Sequence, residues 1–227
     1  DFKPGKDTGD NVSGAFLADY GWKVTPNKND LTKFISVANY KDAATWYKAL
    51  ETYADRPALI KFMAVENFLG HWDGYTGPNV NNYFVRSNTR GKFTFIPWGA
   101  DQTFGENRAT SALADILYTP MLSKTATHPW LNKETARGML YSKCIAYSVC
   151  KTAYLTELKA VSAMVTKMKL ATLIKSAAAT IKPVIMDRYP AGSDMLESIG
   201  IEQNSTIKFI TTRQKEVAAL VKTYKIK

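Results

Sequence analysis

One stretch, HWDGYTGPNVNNYFVRSNTRGKFTFIPWGADQTFG at residues 71–105, gathers residues of the types that chemistry uses. It holds Asp73, Asn81, Asn82 and Asp101, together with His71. NNYFVRS and KFTFIPW are short runs rich in aromatic and β-branched residues, separated by SNTRGK, and so predict one β-hairpin. A hairpin returns the end of its second strand to the start of its first. Asp101 follows the second strand and so approaches Asn82, while Asp73 reaches the same place from the end of the preceding helix. Two carboxylates and a carboxamide that converge offer hard oxygen ligands, the kind Mg²⁺ and Mn²⁺ prefer. One carboxylate could instead act as a base. Each residue also has a purely structural reading. Asp73 can shape a turn with Gly74, Asn81 and Asn82 can cap the strand start, and Asp101 can cap a turn before Gln102 and Thr103.

Other chemistries have less support. His71 and His128 are the only histidines, 57 positions apart, and neither sits in HExxH or another zinc spacing. There is no GxSxG elbow. Cys144 has no histidine near it in sequence for thiol catalysis. His71 reads most simply as a polar side chain at a helix end.

Helices must carry this hairpin. Asp30 can cap a helix through about Tyr40, with Leu31, Phe34, Ile35 and Ala38 on one face. Asp42 can cap the next, whose apolar side is Trp46, Tyr47, Leu50 and Tyr53. Asp55 caps a third, with Pro57 in its first turn, where a missing N–H costs little. That helix is apolar almost all round, through Leu59, Ile60, Phe62, Met63, Val65, Phe68 and Leu69, and belongs in the core. Gly70 ends it. Further on, SALADILY predicts a short helix, and KETARGMLYSKCIAY a longer one. TAYLTELKAVSAMVTKMKLATLIKSAAATIKPVIMDRY predicts a long helix that Pro183 bends or ends. A loop with Pro190, Gly192 and Gly200 leads to a last helix from about Asn204. The polar, glycine-punctuated residues 1–28 predict a lead-in, and no strand beyond the hairpin is expected.

The chain has 227 residues, 45% of them hydrophobic, enough for one domain with a sizeable core. It contains no run of about 18 apolar residues of the kind that crosses a membrane. Its net charge of +10 is lopsided: residues 1–113 carry 13 Lys/Arg against 12 Asp/Glu, and residues 114–227 carry 17 against 8. A basic half suits nucleic acid or an anionic partner. No RNP motif, zinc finger or interleaved Arg/aromatic stretch supports nucleic acid, so a solvated lysine-rich surface is the simpler reading. The two cysteines, Cys144 and Cys150, share KCIAYSVCK. In one continuous helix six residues rise about 9 Å, too far for a disulfide. A bridge therefore requires a break near Tyr147–Ser148, with Ser148 as N-cap; otherwise the two are buried free thiols.

HWD at 71–73, NNYF at 81–84, RGKF at 90–93 and IPWGADQTFG at 96–105 together resemble the CotH family, spore-coat kinase-like proteins and their secreted bacterial relatives. The family pattern has a core helix ending near Trp-Asp, a strand beginning Asn-Tyr, a Gly-Lys/Arg turn, and a strand running into Pro-Trp-x-x-Asp. The helix FMAVENFLGHWDGY and the late region DRYPAGSDMLESIGIEQNSTIKFITTRQKEV are also similar. The resemblance runs from about residue 29 and is most specific over 62–105.

The resemblance implies an α+β, mostly α fold: an atypical protein-kinase-like C-terminal lobe over 29–227 with one central hairpin, preceded by a hinge remnant over 1–28. It implies metal-dependent transfer of the ATP γ-phosphate to Ser/Thr of extracellular or coat proteins, with ATP and Mg²⁺ or Mn²⁺ as cofactors. By position, Asp73 matches the catalytic aspartate that accepts the substrate hydroxyl's proton. Asn82 and Asp101 match the metal-holding residues. The residues that bind the nucleotide itself are not identified. Two departures stand out. Gly99 lies where many members have an aspartate, though some relatives carry Trp-Gly-x-Asp. The family's N-terminal β-rich lobe has no counterpart in residues 1–28, so the expectation is that this chain alone binds ATP poorly. A non-catalytic pseudokinase module is the alternative. Similar secreted relatives carry a Cys pair between two helices, which implies a Cys144–Cys150 bridge and a place outside the cytoplasm.

Overall fold

A computed structural model of the chain describes residues 28–71, 74–77, 83–87, 91–101, 103–105, 123–127, 134–135, 138–189 and 194–227. Within these, three helices come first: α1 (Lys28–Ala38), α2 (Ala43–Tyr53) and α3 (Arg56–Leu69). Asp42 caps α2 by accepting the Thr45 N–H at 2.8 Å, and hydrogen bonding from the Thr45 side chain, then from its backbone N–H, holds the Asp42 carboxyl below its ordinary value. Asp55 caps α3 through the Ala58 N–H, with Pro57 in the first turn, as the sequence predicts. Two strands follow, β1 (Tyr83–Ser87) and β2 (Phe93–Pro97), paired antiparallel with Tyr83 opposite Pro97 and Ser87 opposite Phe93. A second short ladder joins β3 (Ser123–Thr127) to β4 (Glu134–Thr135). The sequence did not suggest it, because SKTAT carries neither the alternation nor the bulk of a buried strand.

The C-terminal half is helical: α4 (Met139–Ala146), α5 (Ser148–Met168), α6 (Leu170–Arg188) and α7 (Asp194–Thr223). The chain is therefore α+β and mostly α. The expected single helix from Thr152 to Tyr189 is instead two. It breaks at Lys169, which is left-handed at φ 48°, while Pro183 lies inside α6 without ending it. Pro183 and its neighbours are exposed, so the carbonyl that loses its donor can turn to water. The break lets α6 leave the line of α5 and pack on α7. The last helix begins at Asp194 rather than near Asn204, with Gly200 inside it. One interior glycine costs only about 1 kcal/mol, which a 30-residue helix absorbs. The lead-in over residues 1–27 and the helix expected at SALADILY lie outside the described residues.

The core centres on α3, which packs most extensively on α5. Leu59, Ile60, Phe62, Met63, Ala64 and Phe68 are buried there, facing Tyr154, Leu155, Leu158 and Val161 of α5 within one cluster. Asn67, also buried, donates from Nδ2 to the Tyr154 hydroxyl at 2.9 Å and so keeps a polar group inside the seam satisfied. The hairpin seats on the same helices. Phe93 stacks on Phe34 with ring centroids 4.9 Å apart, and its carbonyl accepts the Asp55 N–H. Phe95 meets Phe62 and Tyr75 at 5.7 and 5.0 Å. Phe93 and Phe95 are buried while Ile96 is exposed, the alternation of a strand with one face on the core.

Cys144 and Cys150 form a disulfide with Cα atoms 4.9 Å apart. The helix breaks where such a bridge demands, at Tyr147, but the N-cap of the following helix is Tyr147 rather than the expected Ser148. Tyr147 is the extended residue, at φ −99° and ψ 117°, and Ser148 opens α5 without a side-chain cap bond. On α4, Lys143 donates from Nζ to the carbonyls of Ala38 and Tyr40, anchoring the end of α1. Burial lowers the pKa of that ammonium.

Candidate functional site

The site is built outward from the end of α3. Gly70 is left-handed at φ 64°, which a residue without Cβ adopts freely. The Gly70 N–H bonds back to the Asn67 carbonyl and the His71 N–H to the Glu66 carbonyl, at 3.2 and 3.0 Å. This pair of bonds is a Schellman close, and it turns the chain sharply at His71.

Glu66 lies on α3 among apolar neighbours and is buried. Its carboxylate organises the turn that follows. Oε1 accepts the Tyr75 N–H at 3.2 Å, and Oε2 accepts the Thr76 N–H at 2.9 Å and the Thr76 hydroxyl at 3.2 Å. Nδ1 of His71 lies 3.5 Å from Oε1. On the other side of the ring, Nε2 of His71 lies 2.9 Å from the Gly99 carbonyl oxygen. A buried carboxylate needs partners, and the two N–H groups and the Thr76 hydroxyl supply three donors, with the His71 ring beside Oε1.

The second segment of the site is the turn after β2. Gly99, at φ 62°, and Gly105, at φ 93°, flank Asp101, and Phe104 is left-handed at φ 59°. A non-glycine residue there is strained and must be held. Phe104 is held by its N–H, which donates to the Leu69 carbonyl at 2.7 Å, and by its ring, which meets Phe209 of α7 edge-on at 6.2 Å. The Thr103 hydroxyl closes the turn on the Ala100 carbonyl at 2.8 Å. The loop 74–77 is anchored on its far side. Tyr75 is buried, its hydroxyl accepts the Leu140 N–H at 2.9 Å, and its carbonyl accepts the Gly138 N–H at 2.9 Å. Burial pushes the Tyr75 phenol up, so it stays neutral. Gly138 is required, since a Cβ there would lie 2.4 Å from the Tyr75 ring.

Asp101 is exposed in the turn after β2, where an ion in solution can reach its carboxylate. Asp73 and Asn82 lie outside the described residues. Their neighbours are placed: His71 at the end of α3, and Tyr83 opposite Pro97, so that the chain entering β1 and the chain leaving β2 share one end of the hairpin. Among the described residues no group of three or more His, Cys, Asp or Glu side chains forms a metal cluster. None of the described helices is long and apolar enough to cross a membrane.

Sequence reasoning missed Glu66 and undervalued His71, which is a buried link between two loops rather than a plain helix end. The available signal was a lone acid in FMAVENFLGHW, a charge that an otherwise apolar core helix keeps only if something pairs with it.

No curated protein matches the sequence. A family model described as CotH kinase protein matches residues 11–217, most of the chain, and spans every element of the site. The chain belongs to the CotH kinase family.

Proposed function

We propose that the protein transfers the γ-phosphate of ATP to Ser/Thr hydroxyls of proteins outside the cytoplasm, on the cell surface or in a coat. Asp73 is the base that accepts the substrate hydroxyl's proton, and Asn82 and Asp101 hold Mg²⁺ or Mn²⁺. The observation that carries this reading is the shared anchorage of two segments. The end of α3 bonds to the Gly99 carbonyl through His71 and to the Phe104 N–H through Leu69, so the segment leading to Asp73 and the turn bearing Asp101 share one support. Phosphoryl transfer asks mainly for such positioning and for charge neutralisation.

An exposed carboxylate is a hard oxygen donor that suits a hydrated Mg²⁺ or Mn²⁺, so Asp101 fits the proposed ion. When bound, the metal would neutralise charge on the phosphates. The chain's own work is to hold the turn bearing Asp101 on the end of α3, the helix that leads to Asp73. Family membership supports a nucleotide-using, kinase-like activity, and the Cys144–Cys150 bridge supports an oxidising location.

A second reading, a non-catalytic pseudokinase that serves as a surface or structural module, is favoured by Gly99, which leaves this chain without a carboxylate two residues before Asp101. Calorimetry on the full-length protein separates the two. The phosphotransfer reading predicts Mn²⁺-ATP binding that Asp101→Asn weakens by at least about tenfold, the scale of one lost charge-assisted contact. Absence of binding in the wild type would favour the module.

A further inference from the structure

We propose that His71, held by Glu66, is a positioning residue for the turn that carries Asp101. A carbonyl oxygen can only accept, so at 2.9 Å from Gly99 the Nε2 atom of His71 carries a hydrogen and donates it. The ring cannot swing away from that bond. Its Nδ1 faces Glu66 Oε1 at 3.5 Å, a contact that attracts with a hydrogen on Nδ1 as well, as in an imidazolium paired with the carboxylate, and Glu66 is itself fixed by the Tyr75 and Thr76 donors. Gly74 closes the remaining side, because even a Cβ there would lie 2.6 Å from Nδ1 and 2.8 Å from Glu66 Oε1. Both side chains are shut off from solvent, His71 at 3% and Glu66 at 2% exposure, so water does not compete for the bond.

The bond acts on one place. It meets Gly99 at the start of a segment whose other end, Phe104, is pinned to Leu69. Both anchors come from the last turn of α3 and the residue after its Gly70 cap. Asp101 lies between them, and Asp73 lies two residues beyond His71. Glu66 and His71 thus register the Asp101 turn against the chain that leads to Asp73. What the turn does rests on the phosphotransfer reading; that His71 positions it does not.

Two amides at position 71 test this. His71→Gln carries an N–H donor to about the reach of Nε2, and His71→Asn stops about one bond short. Hydrogen exchange at the Phe104 amide reports whether the turn stays docked, and amides of α5 report the fold. The proposal expects exchange at Phe104 to rise by at least about tenfold in the Asn variant and to stay within about threefold of wild type in the Gln variant, with α5 unchanged. Equal exchange in both variants overturns it, and so does loss of protection in α5 to the same extent as at Phe104. Half-saturating Mn²⁺, measured with the metal alone, should rise in the Asn variant and recover in the Gln variant. Wild-type protein that binds no Mn²⁺ counts against the phosphotransfer reading, while the exchange result still decides the role of His71.

Discussion

At the scale of single residues, the side chains proposed for chemistry and those that hold them differ in how far they could be read. Asp73, Asn82 and Asp101 are legible because the hairpin, plain from NNYFVRS and KFTFIPW, brings three oxygen-bearing side chains toward one end, although each alone also reads as a turn or cap residue. Glu66 and His71 did not stand out. Their meaning depends on the Schellman close at Gly70, which folds the residues after α3 back over Glu66, and no periodicity announces that contact. Gly74 belongs to the same group. Gly74→Ala should destabilise the protein by about 1–3 kcal/mol in denaturant titration, because its new methyl meets an imidazole that Gly99 and Glu66 hold in place. A neutral substitution would mean that the ring has room to move.

At the scale of elements, caps and breaks decide what the sequence can say. Asp42, Asp55 and Gly70 fixed α2 and α3 because each cap acts on its own neighbours, whereas α1 begins at Lys28, ahead of its expected cap Asp30. The break at Lys169 carries no such mark. The local sequence KMKLAT would continue a helix, and the turn exists because α6 finds its partner in α7. The Tyr147 break lies between these cases: spacing demanded it if the cysteines pair, and left the pairing open. The bridge now ties α4 to α5, and α4 supports Tyr75 through Gly138 and Leu140. Replacing both cysteines by alanine should lower stability by about 2 kcal/mol in denaturant titration, the loop-entropy value for so short a closed loop. A loss well under 1 kcal/mol would show that helix packing alone fixes this corner.

At the scale of the whole molecule, α3 is both the centre of the core and the base of the site. Its flank packs on α5, its first turn meets β2 through Asp55, and its last turn holds the Asp101 loop. The mostly helical class and the central hairpin were legible because they follow from composition and short-range pattern. The β3–β4 ladder was not, because a two-residue strand rests on its partner rather than on its own residues. The central claim is that this scaffold presents two aspartates for metal-dependent phosphotransfer, and phosphate incorporation from Mn²⁺-ATP into a protein acceptor by the full-length protein tests it most directly. Asp73→Ala and Asp101→Asn should each reduce incorporation by about a hundredfold or more, with the fold intact. Undiminished transfer by either variant would contradict the role given to that residue.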